Sequence, residues 1–195
     1  GVAIAAVVAS LTAVVKGINS CIEAASKLEE VQNVVNTAFP TMSSYIDSFA
    51  QSAMKAYGLT ERMAKQYAST FGAMAQGFNF TEQQAYTMGT TLTGLAGDVS
   101  SFYNISQDSA MTKLQSIFTG ETESLKQLGI AMTETNLNSF AMSQGISKNV
   151  SNMTEQEKVA IRYQFVLSKL SMAQGDFART SGSWANQVRL LQGQF

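Results

Sequence analysis

The chain has 195 residues, enough for one domain or two small ones with a buried core. Its net charge of −1 gives a nucleic-acid-binding role no electrostatic basis, so we expect no sequence-specific nucleic-acid binding. It has no histidine and a single cysteine, Cys21, which removes the commonest general base and metal ligand and excludes an intrachain disulfide. Only 14% of residues are charged, against roughly 25% usually, which favours a surface that lies against other protein.

Residues 2–38 are predicted to form one long helix, which the only proline, Pro40, brings to an end. A heptad frame fits this segment, and Gln32 is the only polar residue at its a and d positions. The pattern predicts a coiled-coil seam, and therefore a homo-oligomer, but the residues do not decide the number of subunits. The predicted self-association seam consists of Ile4, Val7, Leu11, Val14, Ile18, Cys21, Ala25, Leu28 and Val35.

The first part of this helix has two interpretations. Residues 2–15 carry no charge, but the run is shorter than the ~20 residues that a helix needs to span a bilayer. A buried coiled-coil or bundle helix is one interpretation, and insertion of residues 2–15 into a membrane is the other.

The rest of the chain is predicted to be a compact array of shorter helices. Five helix starts have a capping residue, and two of them, Thr81 and Thr154, begin a capping box. The predicted helices cover residues 42–57, 60–77, 81–101, 106–119, 121–128, 134–143 and 154–177. The residues predicted to end helices are Gly58, Gly77, Gly120, Gly129 and Gly145. Alternating apolar runs typical of strands are missing, so the predicted class is all-α, with domains at residues 1–39 and 40–195.

The sequence offers no pattern typical of catalysis. Glu121 and Glu123 lie at the start of a short predicted helix, where acids complement the helix dipole, and we interpret them as helix-start charges. Asp98 and Asp176 each follow a glycine, which predicts a turn. Residues 94–97 contain two glycines but lack the Lys and Ser/Thr of a phosphate loop. We therefore expect no catalytic, cofactor or metal site, and no enzyme activity.

Two aromatic residues near the C-terminus are a candidate partner anchor. Phe177 and Trp184 lie in a glycine- and serine-containing stretch after the last long predicted helix. Large aromatic side chains often anchor protein interfaces. The alternative is that Trp184 is a core residue that holds the C-terminal helix.

Three stretches of the chain resemble phage tail tape measure proteins and occur in the order of that family. They are LAGDVSSFYN at residues 95–104, GETESLKQLGIAMTE at 120–134 and QGDFARTSGSWANQ at 174–187. A looser similarity covers residues 26–195. The chain begins without Met and stops within a helical pattern, so we expect it to be a piece of a longer polypeptide.

The resemblance implies a structural virion protein inside the tail tube, near the tip, that is made in the bacterial host cytoplasm. Such a protein sets tail length during assembly, contacts tail tube and tail-tip or baseplate hub proteins, and leaves ahead of the DNA at infection. The family suggests a trimer, with a hexamer as the alternative, and host membrane contact through residues 2–15. It supplies no catalytic residues. The rival class is a membrane-inserting helical pore or channel former of a phage-like particle.

Overall fold

In the computed structural model, residues 26–173 are described, and within that range all regular structure is helical, with no β-strand. This confirms the all-α class for the described residues. Helix α1 covers 26–38 there, so the part of the predicted 2–38 helix before residue 26 lies outside the described residues. The other helices are α2 Ser43–Tyr57, α3 Glu61–Gly77, α4 Glu82–Tyr103, α5 Gln107–Leu114, α6 Ser116–Thr119, α7 Glu123–Lys126, α8 Glu134–Ser143 and α9 Glu155–Lys169, with a 3-10 turn at Val150–Asn152.

The predicted helix starts are confirmed by their hydrogen bonds. The side chain of each capping residue accepts a bond from the backbone N–H three residues later, which satisfies a group that the helix leaves unpaired. Thr81 and Thr154 also form full capping boxes, with Gln84 and Glu157 returning a bond to the cap backbone. The five capping residues are Thr60, Thr81, Ser106, Thr133 and Thr154.

Three predicted helices differ in extent from those of the structure. The helix predicted at 106–119 divides at Gln115 into α5 and α6. The helix predicted at 121–128 is only Glu123–Lys126. Glu121 lies before it, and its carboxylate accepts a hydrogen bond from the Ser124 N–H in the first turn. The helix predicted at 154–177 ends at Lys169. The apolar pattern extends past the end of α9 to Leu170 and Ala173, because both residues are buried in the turn that follows the helix.

Asp98 forms no turn, contrary to the prediction from the glycine before it, since it lies inside α4 together with residues 94–97. A Cβ at Gly97 would lie 2.5 Å from the backbone oxygen of Tyr57. Glycine is needed there for close helix contact and not for a change of chain direction. The terminal role of glycine is confirmed elsewhere, for example at Gly58, which ends α2 in the left-handed conformation with φ 70°.

Helices α2, α3 and α4 form the centre of the fold. The start of α2 contacts Glu82 at the start of α4, and its last residue, Tyr57, contacts Gly97 near the end of α4. These two helices therefore run parallel, and α3, which links them in the chain, runs antiparallel to both. At Gly89 a Cβ would lie 2.7 Å from the backbone oxygen of Ala68, so α3 and α4 touch through their backbones.

Helices α5 to α9 extend the core. Phe118 of α6 packs on Phe71 of α3 and on Phe78, which directly follows α3, with ring centroids 6.2 and 6.4 Å apart. Phe140 of α8 meets Phe165 of α9 edge-on at 5.7 Å. All residues of α9 from 159 to 167 are buried except Arg162, so α9 is an interior helix.

We predict that Gly89→Ala lowers the free energy of unfolding by about 1–3 kcal/mol, because the added methyl group would force α3 and α4 apart. Gly77→Ala is the matched control, since a Cβ there meets nothing within 4 Å. We expect that change to be neutral or to stabilise by up to about 1 kcal/mol through helix propensity. Urea denaturation measures both. Equal effects of the two substitutions would contradict the backbone contact.

Candidate interaction surface

Two kinds of feature are absent from the part of the chain that the structure describes. Within 26–173 no three His, Cys, Asp or Glu side chains are grouped to hold a metal ion. None of the helices in this range is both long enough and apolar enough to cross a membrane. Residues 2–15, on which the membrane interpretation depends, lie outside the described residues.

The two acids of residues 120–130 make local contacts at the start of α7. Glu121 accepts hydrogen bonds from the N–H groups of Glu123 and Ser124 and from the Ser124 hydroxyl. The bond from the Ser124 hydroxyl is the main reason that the pKa of Glu121 is lowered, and the backbone bonds add to it. Glu123 pairs with Lys126 at 2.7 Å, one turn along the same helix.

The apolar side of residues 120–130 packs into the core. Leu125, Leu128 and Ile130 are buried, and the Tyr103 hydroxyl donates to the Leu128 carbonyl at 3.1 Å. Gly120 leaves room for the guanidinium of Arg162, whose Nη2 would lie 2.9 Å from a Cβ at this position. Burial lowers the pKa of Arg162, and the charge of Glu155 acts in the opposite direction. This segment is therefore a structural connector.

Helix α1 is docked on the domain by an apolar contact at its C-terminal end. Val35, Ala38 and Phe39 are buried in the same core as the following helices. The Phe39 ring lies over Gly72 of α3, where a side chain would collide with it. Gln76 of α3 donates to the Ala38 carbonyl at 2.6 Å. The contact involves little more than the last two turns of α1.

A polar cluster, which we call the Lys65 clasp, holds the preceding turn of α1. It consists of Lys65 and Glu61 of α3, Asp47 of α2 and Gln32 of α1. The Lys65 ammonium lies 2.7 Å from Glu61 and 3.4 Å from Asp47, and donates to the Gln32 amide oxygen at 2.9 Å. Burial alone would lower the pKa of Lys65, but the hydrogen bond and charge of Glu61, together with Asp47, raise it. Lys65 therefore stays charged although its side chain is only 7% exposed.

The described part of the predicted seam is divided between solvent and the domain. Leu28 is exposed, Val35 is buried in the domain core, and Gln32 belongs to the Lys65 clasp. The a and d face of α1 is thus turned toward the chain's own α2 and α3 from Gln32 onward. The seam residues from Ile4 to Ala25 lie outside the described residues, as do Phe177 and Trp184.

An open groove of about 450 Å³ lies beside the docked helix. It is lined by Asn33, Val34, Thr37, Ala38, Ala73 and Gln76, which belong to α1 and α3. The exposed Val34 forms one wall. The groove shows that α1 is packed against the domain on one side only.

Glu82 of α4 supplies the N-terminal cap that α2 lacks in its own sequence. No side chain caps α2 from its Met42 position. The Glu82 carboxylate accepts the N–H groups of Thr41 and Met42 at 2.9 and 3.0 Å and the Thr41 hydroxyl at 2.7 Å. Burial acts to raise the pKa of Glu82, but these hydrogen bonds outweigh it and lower the pKa.

The sequence alone predicted neither the Glu82 cap nor the Lys65 clasp. The Glu61–Lys65 spacing is a readable signal, since residues four apart share a helix face. The partners from other helices, Asp47 and Gln32, are far away in the chain and give no signal.

Comparison of the chain with protein-family models, with curated proteins and with solved structures finds no match in any of the three.

We predict that acid destabilises the domain partly through Glu82. Because its folded pKa lies below the model-compound value of 4.5, its contribution to stability is present above pH 4.5 and is lost as pH falls through the folded pKa. Glu82→Gln should lower the free energy of unfolding at pH 7 by about 0.5–1 kcal/mol, as loss of a helix cap does. In this variant the free energy of unfolding should also fall less steeply than in the wild type as pH drops below 4.5. Thermal unfolding from pH 3 to 7 measures this, with the exposed Glu29→Gln as control. Parallel pH profiles for wild type and Glu82→Gln would contradict it.

Proposed function

We propose that the chain is part of the tape measure protein of a phage or phage-like tail. The observation that carries this proposal is the series of three stretches at residues 95–104, 120–134 and 174–187, in the order of that family. The protein acts inside the tail tube near the tip, where it helps to set tail length and contacts tube and tip or baseplate hub proteins. It is made in the host cytoplasm and leaves the tail ahead of the DNA.

The helices of the described part favour an anchor role over a ruler role for this region. A ruler needs length per residue, which a continuous helix supplies at ~1.5 Å per residue. From Ser43 to Lys169 the longest helix has 22 residues, and α3 and α4 fold back on each other. We propose that residues 40–195 form a folded anchor in the tail and that the ruler lies mainly in other parts of the protein.

A single long helix over residues 2–38 remains part of this proposal. Its heptad pattern supports self-association, for which the family suggests a trimer and leaves a hexamer as the alternative. Phe177 and Trp184 are the proposed anchor for a tube or tip protein. The low charged fraction, 14%, supports a surface that is covered by other protein in the assembled tail.

Paired deletions of 21 residues test the anchor role. Removing residues 134–154 deletes α8 and the following turn, so we expect assembly of normal tails to fail. Removing residues 4–24, three heptads, keeps the heptad frame and should shorten the tail by at most ~32 Å. Electron microscopy of the particles measures both. Intact tails shortened by ~32 Å after the 134–154 deletion would contradict the anchor role.

The alternative function is a membrane-inserting helical pore or channel former of a phage-like particle, and the uncharged run at residues 2–15 favours it. The two proposals differ in dye release from liposomes. We expect the chain to release no trapped dye, even if residues 2–15 bring it to the bilayer. Release that disappears when residues 1–16 are removed would favour the pore former.

A further inference from the structure

We propose that docking of α1 on its own domain and self-association through the heptad seam compete for the same face of the helix. We further propose that the Lys65 clasp favours the docked state. The proposal rests on the proposed self-association but not on a role in tails. The occupant that would replace the domain on this face is a second copy of the chain.

The first observation is that two a and d positions of the heptad frame, the seam residue Val35 and the polar Gln32, already contact the domain. Val35, a d position, is fully buried against the domain, and Gln32, an a position, bonds to Lys65 and Asp47. In a coiled coil these positions face the partner helix. A helix face cannot contact α2 and α3 and a second α1 at the same place. The seam must therefore stop before Gln32, or α1 must leave the domain.

The second observation is that the docked contact is small and one-sided. Residues 26–30 are all exposed, so the contact of α1 with the domain begins only at about Val31. Beyond that point the contact is the Lys65 clasp, Val35 and the buried pair Ala38 and Phe39. The groove of about 450 Å³ lies along the other side. Release of α1 back to Phe39 would expose few apolar side chains.

The third observation concerns the choice of residue at position 32. Gln32 is the one polar residue at the a and d positions of the heptad frame. A polar residue at an a position weakens a coiled coil while restricting its register. On the domain the same side chain has a buried cation as partner, at 2.9 Å. Gln32 thus favours the docked state and disfavours the associated state.

Gln32→Leu is the direct test, because it removes the bond to Lys65 and adds an apolar residue to the seam. We expect the dissociation constant for self-association to fall about tenfold, which corresponds to 1.4 kcal/mol. Asn33→Leu is the matched control, because it adds the same side chain one residue along, outside the a and d positions. We expect it to change the constant less than twofold. Sedimentation equilibrium of the whole chain measures both.

Acetylation of Lys65 reports docking in the same samples. Brief treatment with acetic anhydride followed by mass spectrometry compares the shielded Lys65 with Lys126, whose side chain is 59% exposed. We expect Lys65 to be labelled slowly in dilute protein, and its labelling relative to Lys126 to rise with the associated fraction. In Gln32→Leu this rise should begin at about tenfold lower concentration, in step with the tenfold lower constant.

Two results of the experiment with Gln32→Leu would overturn the proposal. One is a chain that associates while Lys65 stays as protected as in the monomer, since docking and association would then be compatible. The other is the absence of association in both wild type and Gln32→Leu.

Should Gln32→Leu fail to fold, Lys65→Met is the second variant, because it weakens the clasp without changing the seam. It should tighten self-association as well, and no change in that variant also overturns the proposal. Defects in tail assembly alone would bear on the proposed function and leave this competition intact.

Discussion

The backbone contact between α3 and α4 is the constraint on which the rest of the fold depends. It requires a glycine, Gly89, directly opposite the Ala68 carbonyl, and it brings the two longest complete helices of the described part together without side chains between them. A second glycine, Gly97, does the same for α4 and the end of α2. Because α4 is approached so closely, its residues from 91 to 97 are all buried. Close packing of this kind is sensitive to a single added methyl group.

Around this centre the helices are joined by a few long-range contacts. Glu82 caps α2 from the start of α4, Phe118 brings α6 onto α3, and the Lys65 clasp attaches α1. The two contacts that hold α1 on the domain differ in kind. The clasp is polar and involves a single side chain of α1, whereas Phe39 fills a notch made by Gly72. Phe39 therefore fixes the place where α1 joins the domain, and the clasp fixes the direction in which the helix leaves it.

Local features of the sequence predicted what depends on neighbouring residues. Thr81 and Thr154 form the predicted capping boxes because all the bonded groups lie within four residues. The all-α class followed from the same local patterns. The role of Gly97 was not predictable in this way, since glycine serves both turns and close helix contacts and only the position of Tyr57 decides between them. Apart from the Glu61–Lys65 pair, the contacts of the Lys65 clasp and the Glu82 cap join residues 15 to 41 positions apart, for which a single sequence gives no signal. The heptad pattern does not state which partner a seam residue meets, and Val35 meets its own domain.

The proposed anchor role requires that residues 43–169 stay folded in the assembled particle. Energy transfer between fluorophores at Ser44 and Ser147, with Cys21 replaced by Ser, tests that requirement in purified tails. A compact domain of this size predicts a separation below about 45 Å and efficient transfer. A continuous ruler helix would place the two positions about 155 Å apart and give no transfer, which would contradict the account.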